Sequence, residues 1–258
     1  MNTIHYEIKG SGPAMVLLHG FMESLEMWYP FLPSLCKDFS VVMIDLPGHG
    51  KSVSPKKEYS MEFMADKIKE ILDKEGIKKC TMIGHSMGGY VTLAFAKAYP
   101  GILNGIALFH SHPDADTPEA MKNRERTINI VKKDKTGFIR EFIPSLYAEQ
   151  NRQMLQSQID RQKEIAAQMD PDGIIAALQG MKERKDSIDF ISSTSLPILF
   201  IVGKQDSRVQ LKRIQELVIM PHHSEALILD KVGHMGFHEA EYECVTTLHT
   251  FAQKCFGV

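Results

Sequence analysis

A short apolar run, Thr81-Met82-Ile83, leads directly into Gly84-His85-Ser86-Met87-Gly88-Gly89, and that into an alanine-rich stretch from Val91 to Lys97 closed by Pro100. The run reads as a buried strand and the stretch after it as a helix. Ser86 therefore lies on a strand-to-helix turn. Such a turn is sharp, and glycine at 84 and 88 removes side chains that would collide across it. The turn lifts the serine hydroxyl above a sheet edge, with a helix N-terminus beneath it. The plain alternative is a glycine turn with an incidental serine.

The rest of the chain supplies the sheet this turn needs. Strand-like segments are Thr3–Ile8, Ala14–His19, Ser40–Asp45, Cys80–Gly84, Gly105–Phe109, Pro197–Val202 and Ala226–Asp230. Several are continuous apolar runs, such as Ile198-Leu199-Phe200-Ile201-Val202, which suits strands buried on both faces. The first alternates instead, and so belongs at an exposed edge. Helical stretches fill the gaps: one from Ser60 with Gly76 as C-cap, one at 87–99, and short ones near 207–220 and 237–254. Alternating strand and helix predict an α/β fold, a doubly wound, mostly parallel sheet of about seven strands with helices on both faces.

Between about 112 and 194 the rhythm breaks. No strand-like run occurs there, and Ile, Leu and Met recur at helical spacing among many charged residues. Pro113, Pro118, Pro144 and Pro171 divide the interval into several helices. Sheet strands flank it, so it reads as an insertion: core at 1–111, a helical cap at 112–194, core again at 195–258.

Composition excludes several classes. Apolar residues are 43% and charged residues 24% of 258, ordinary for a globular chain and unlike a disordered one. No apolar stretch approaches the roughly 20 residues of a membrane span, and the first residues lack the pattern of a secretory signal. A net charge of −2 without basic blocks argues against nucleic acid. The four cysteines, Cys36, Cys80, Cys244 and Cys255, form no C-x-x-C pair and read as free thiols of a reducing cytoplasm. Without such a pair or an H-E-x-x-H, neither metal nor cofactor is expected.

A serine hydroxyl is a poor nucleophile at neutral pH and needs a base. Gly233-His234-Met235 follows the last strand, which brings His234 to the sheet edge where Ser86 emerges; His238 and His85 are lesser candidates. The base needs a carboxylate to hold its tautomer. Asp206, just after the strand ending at Val202, fits, with Asp114 and Asp116 in reserve and Asp230 read as a turn or ion-pair residue. Charge on a tetrahedral intermediate needs two aimed N–H donors. Met87, which follows the nucleophile, and Phe21, after His19-Gly20 at the end of another strand, can supply them.

The order Ser86…Asp206…His234, with His19-Gly20 early and Asp45-Leu46-Pro47-Gly48-His49-Gly50-Lys51-Ser52 between, resembles the α/β-hydrolase family, in particular its capped esterase and carbon–carbon hydrolase branch. The resemblance spans nearly the whole chain outside the cap. It implies a nucleophile at Ser86, an acid at Asp206, a base at His234, oxyanion donors at Phe21 and Met87, and a structural loop at Asp45 to Ser52. Family sheets commonly have eight strands; seven are found here, and the missing one would be the first, at the margin. A serine at the elbow sets the chain apart from the haloalkane dehalogenase and epoxide hydrolase branches, which carry aspartate there.

Met22 and Met235 adjoin the catalytic motifs and suit an adaptable apolar pocket, while His110 and His112 lead into the cap and can touch substrate or steady the hinge. Trp28 reads as helix core. The activity expected is a carboxylesterase acting on small to medium acyl esters, as monomer or homodimer. Carbon–carbon bond hydrolysis and cofactor-free perhydrolysis on the same scaffold are the rival reactions; a ligand-binding protein that kept the fold is the rival class.

Overall fold

Apolar runs five or six residues long have no polar face to offer solvent, and here they stack side by side. In the computed structural model, which describes residues 4–53 and 59–257, the strands are β1 (Tyr6–Gly10), β2 (Ala14–Leu18), β3 (Ser40–Ile44), β4 (Cys80–His85), β5 (Leu103–Phe109), β6 (Ile198–Gly203) and β7 (Ser224–Leu229). They form one seven-stranded sheet in the order β1-β3-β2-β4-β5-β6-β7. Every pairing is parallel except β1 with β3. The alternating first strand does occupy an edge, although it begins at Tyr6; Thr3 lies outside the described residues. β2, β4 and β6 are buried along their whole length, whereas β7, the other edge, is largely exposed.

Helices α1 (Leu32–Leu35), α2 (Met61–Lys74) and α3 (Met87–Ala98) occupy the first half. Ser60 caps α2 by accepting the Phe63 N–H at 3.1 Å. Gly76 follows at a left-handed φ of 68°. Trp28 is fully buried in a 3₁₀ turn, Leu25–Phe31, and packs on Phe31 and Phe109.

From β5 the chain leaves the sheet and makes α4 (Pro118–Ser145), α5 (Gln156–Gln168), α6 (Pro171–Glu183) and α7 (Ile188–Ser193) before returning at β6. Pro118 and Pro171 open α4 and α6, where their missing N–H costs nothing. Pro144 does not divide helices: it lies within the last turn of α4. The break in α4 comes instead at Asp134, whose φ of −152° is non-helical. Its carboxylate caps the new segment by accepting the Gly137 N–H at 2.7 Å. Helices α8 (Leu211–Leu217), α9 (Gly236–Glu239) and α10 (Glu241–Phe256) complete the chain.

In a parallel sheet all carboxyl ends face one way, and the crevice beyond them collects ligands. Register aligns Leu18 with Gly84, Gly84 with Leu108, and Phe109 with Ile201. The segments carrying Phe21, Ser86, His110, Asp206 and His234 all leave that same edge.

Candidate active site

Ser86 joins β4 to α3 at φ 48°, ψ −113°, a conformation that non-glycine residues rarely hold. Its neighbours enforce it. A side chain at Gly84 would collide with the Gly88 carbonyl, and one at Gly88 would come 2.6 Å from the Leu18 carbonyl oxygen. The Ser86 N–H donates to the Phe109 carbonyl at 2.9 Å, and Ser111 Oγ donates to the Ser86 carbonyl at 2.8 Å. The elbow is thereby tied to β5 on both sides.

Three residues from three strand ends meet above this turn. Ser86 Oγ lies 2.9 Å from His234 Nε2, and His234 Nδ1 lies 3.0 Å from each oxygen of Asp206. The Asp206 side chain is fully buried and that of His234 nearly so. Burial alone would raise the Asp206 pKa, but His234 and His110 beside it more than offset this and hold its carboxyl below the usual carboxylate range. Backbone N–H groups of Arg208 and Val209 also donate to Asp206 Oδ1, at 2.8 and 2.9 Å.

His110 belongs to the support of this network. It sits at φ 48° just past β5, and its Nδ1 donates to Asp206 Oδ2 at 2.7 Å. Burial depresses its pKa to about 4, against the pull of Asp206, so the ring is neutral at pH 7. Polar atoms of His110, Asp206 and His234 lie within 4.8 Å of one another, near enough for one cation. The Nδ1 atoms of both rings are already engaged with the carboxylate, which is the arrangement of a proton network.

A second buried pair underlies the first. His85 points away from Ser86, its Nδ1 2.9 Å from Glu23 Oε2 and its Nε2 2.9 Å from the His234 carbonyl oxygen. Glu23 Oε2 also accepts the Gly20 N–H, at 2.5 Å. Burial disfavours charge on both side chains, yet their mutual attraction wins: the His85 pKa is raised and that of Glu23 lowered. Glu23 thus braces the turn that presents Phe21. Met87 is the first residue of α3, where an amide has no carbonyl four residues back to bind.

The loop carrying His234 is held from the inserted helices. The His234 N–H donates to the Leu146 carbonyl at 2.7 Å. Glu239 accepts from Gly233 and Met235 N–H through Oε1, at 3.0 and 3.2 Å, and from Ala148 N–H and Asn151 Nδ2 through Oε2, at 2.9 and 2.8 Å.

Ser86 and His234 open onto a cavity of about 1020 Å³. Its wall combines apolar side chains, Phe21, Phe138, Phe142 and Leu146, with charged ones. Of the four residues anticipated for the pocket, His112 lines this cavity, whereas Met22, His110 and Met235 are fully buried and do not. The reason lies in the backbone. Met22 turns inward at φ 62° while its carbonyl accepts from Gln162, His110 is drawn to Asp206, and the Met235 side chain packs into the core.

The lesser candidates lie elsewhere. Asp114 pairs with Arg213 at 2.6 Å, and Asp116 with Arg124 and Arg184. Asp230 pairs with Lys204 at 3.3 Å, and His238 Nδ1 lies 2.8 Å from the Tyr147 hydroxyl. Asp45 accepts the N–H groups of Leu25 and Lys51 at 2.8 and 2.9 Å, which fixes its loop. Glu23, Glu239 and the Leu146 carbonyl were not legible as site residues. For Glu23, its short spacing from His19-Gly20 is the one sequence signal that points to a role.

Comparison with known proteins agrees with this fold. A family model described as alpha/beta hydrolase fold matches residues 13–241. A thermophilic esterase from Thermogutta terrifontis, solved with malate bound, superposes with a TM-score of 0.93 at 30% identity, covering 98% of this chain and 93% of its own. The pimeloyl-[acyl-carrier protein] methyl ester esterase of Aeromonas hydrophila is 28% identical over 247 residues, 91% of this chain and 93% of that protein. An uncharacterized protein of Mycobacterium bovis is 35% identical over 111 residues, and the match spans 33% of that relative's length. The chain belongs to the α/β-hydrolase fold family.

Proposed function

We propose that this hydrolase is a serine carboxylesterase for small to medium acyl esters. The observation that carries the reading is the 2.9 Å contact of Ser86 Oγ with His234 Nε2, continued at 3.0 Å from Nδ1 to Asp206. His234 takes the Ser86 proton as the hydroxyl attacks the ester carbonyl, and Asp206 stabilises the imidazolium so formed. Negative charge on the carbonyl oxygen is met by the N–H groups of Phe21 and Met87. His234 then hands the proton to the leaving alkoxide. Water, activated by the same histidine, attacks the acyl-Ser86 ester and releases the acid.

Residues 112–194 act as a cap. Helix α4 supplies Phe138 and Phe142 to the cavity wall, so the insertion sets which acyl or alcohol group fits. The cavity volume accommodates a small to medium ester. The esterase names of the Thermogutta and Aeromonas relatives point to the same bond. The four cysteines are free, consistent with a reducing cytoplasm. Among the described residues no helix is long and apolar enough to cross a membrane.

The test is a panel of p-nitrophenyl esters of increasing acyl length, run with the natural protein and Ser86→Ala. Turnover falling by roughly 10⁴-fold or more is expected, because the members of such a triad act as a unit. Unchanged turnover in Ser86→Ala would overturn the assignment. A protein that reacts with a serine-directed phosphonate yet cleaves no ester would move the reading to carbon–carbon cleavage.

A further inference from the structure

Of the three arginines in the cavity wall, two are matched by carboxylates. Arg124 is paired with Asp116, and Arg213 with Asp114 and Glu216. Arg208 lines the same cavity, and among the described residues no carboxylate pairs with it. Its position is nonetheless built. Nη2 donates to Ser145 Oγ at 2.8 Å, and the guanidinium lies over the Phe142 ring, 5.0 Å from its centroid. Ser145 Oγ donates in turn to the Phe142 carbonyl at 2.6 Å, so serine and ring are fixed to each other. A neutral hydroxyl and an aromatic face hold the head, and its Nε and Nη1 donors have no acceptor among the described residues.

Location gives this fork a use. The Arg208 N–H binds Asp206, so the side chain starts two residues from the catalytic acid. Phe142, under the guanidinium, meets Phe21 edge to face with centroids 6.0 Å apart. One aromatic ring therefore separates the charge from the turn expected to hold the reacting carbonyl oxygen. Surrounding protein withdraws part of the guanidinium's hydration and lowers its pKa despite the pull of Asp206. A planar, pre-positioned fork with no paired anion matches a carboxylate in geometry and charge.

We propose that Arg208 selects esters that carry a free carboxylate several atoms from the scissile carbonyl, such as half-esters of dicarboxylic acids. This rests on the esterase reading and names its substrate class. The neighbouring apolar wall of Phe138, Phe142 and Leu146 takes the chain between the two ends, and Arg208 takes the anionic one.

The experiment compares monoethyl adipate with ethyl heptanoate, an uncharged ester of similar length, in the natural protein, Arg208→Met and Arg208→Lys. The expected result is a kcat/KM preference for the half-ester that Arg208→Met reduces by about 10- to 100-fold, mainly through KM, as for one charge-assisted hydrogen-bonded pair. Arg208→Lys keeps part of the preference, and 0.5 M salt narrows it. Equal use of both esters by the natural protein, or a preference that survives Arg208→Met, overturns the proposal. A second arm needs no turnover: adipate should raise the melting temperature of Ser86→Ala and fail to raise that of Ser86→Ala/Arg208→Met. If no ester is cleaved while this arm succeeds, the esterase reading falls and the anion site stands. An adipate shift equal in both proteins, or absent from both, removes the anion site whatever the esters do.

Discussion

Glu23 Oε2 lies 2.9 Å from His85 Nδ1, with the two side chains 2% and 0% exposed. The opposite nitrogen of His85 faces the His234 carbonyl, which can only accept, so Nε2 carries a proton. With Nδ1 donating to a carboxylate, the ring is an imidazolium and the pair is ionic. It joins the Gly20 turn, the segment before Ser86 and the loop carrying His234.

Breaking a buried pair by removing one charge costs about 3–5 kcal/mol. Glu23→Gln is expected to lower stability by about that amount, and kcat with it, as the Gly20 turn and the His234 loop lose their common anchor. The effect should depend on pH. Glu23, with a lowered pKa, contributes fully above its ordinary value of 4.5 and loses its contribution as pH falls. His85, with a raised pKa, contributes fully below its ordinary 6.5 and loses its contribution as pH rises through the folded-state value. Urea melts should therefore show the largest gap between the natural protein and Glu23→Gln from about pH 4.5 to 6.5. A gap that stays constant from pH 4 to 9 would show that the pair is not ionic.

Four other histidines work in the opposite sense, His19 among them, its pKa lowered by burial. Burial holds His49 at about 3, and His110 and His238 at about 4. Below pH 6.5 the unfolded chain takes up protons at these rings and the folded chain does not, so stability falls with pH until the folded values are reached. Near pH 5 the slope from His49, His110 and His238 should approach roughly 4 kcal/mol per pH unit, three protons at roughly 1.4 each. Denaturant melts at pH 7, 6 and 5 measure it. A flat profile over that range would mean that the rings are solvated or charged in the folded state.

The two candidate acids separate cleanly. Asp206 accepts from His234, His110 and two backbone N–H groups, whereas Asp114 serves Arg213 and His112. Asp206→Asn keeps the shape but offers His234 the wrong partner, and should cost roughly 10⁴-fold in kcat. Asp114→Asn should cost less than about 10-fold. The reverse ranking in ester kinetics would move the acid to the segment after β5.

What could be read from the chain and what could not follow from how each residue works. The sheet was legible because burial on both faces leaves a local mark, as in Ile198 to Val202. Ser86, Asp206 and His234 could be placed together because each lies within five residues of a strand's end, and parallel strands end on one edge. Strand ends moved by a few residues, and α4 broke at Asp134 rather than at Pro144, because pairing partners and caps decide such points. Met22 and Met235 adjoin the catalytic motifs in sequence, but positive φ and core packing turn them inward. Glu23 with His85 spans 62 residues, and Glu239 with Ala148 spans 91. Contacts at that range leave no periodicity in a single chain.

Glu239 tests how far the inserted helices control the base. Its two carboxylate oxygens accept four N–H groups, two from the segment around His234 and two from the turn at Ala148 and Asn151. An amide has the same shape but must point its own N–H donors at one of those pairs. Glu239→Gln should therefore lose charge-assisted bonds worth about 1.5–3 kcal/mol each while leaving donors facing donors. The His234 N–H is itself tied to Leu146, next to that turn, so loosening the turn loosens the base. The expected kinetic result is a fall in kcat larger than any rise in KM, together with a lower melting temperature. Glu239→Asp, which keeps the charge but shortens the reach, should recover part of the melting temperature and less of kcat. A Glu239→Gln protein that melts lower yet turns over esters at the natural rate would show that the insertion supports the fold without positioning His234.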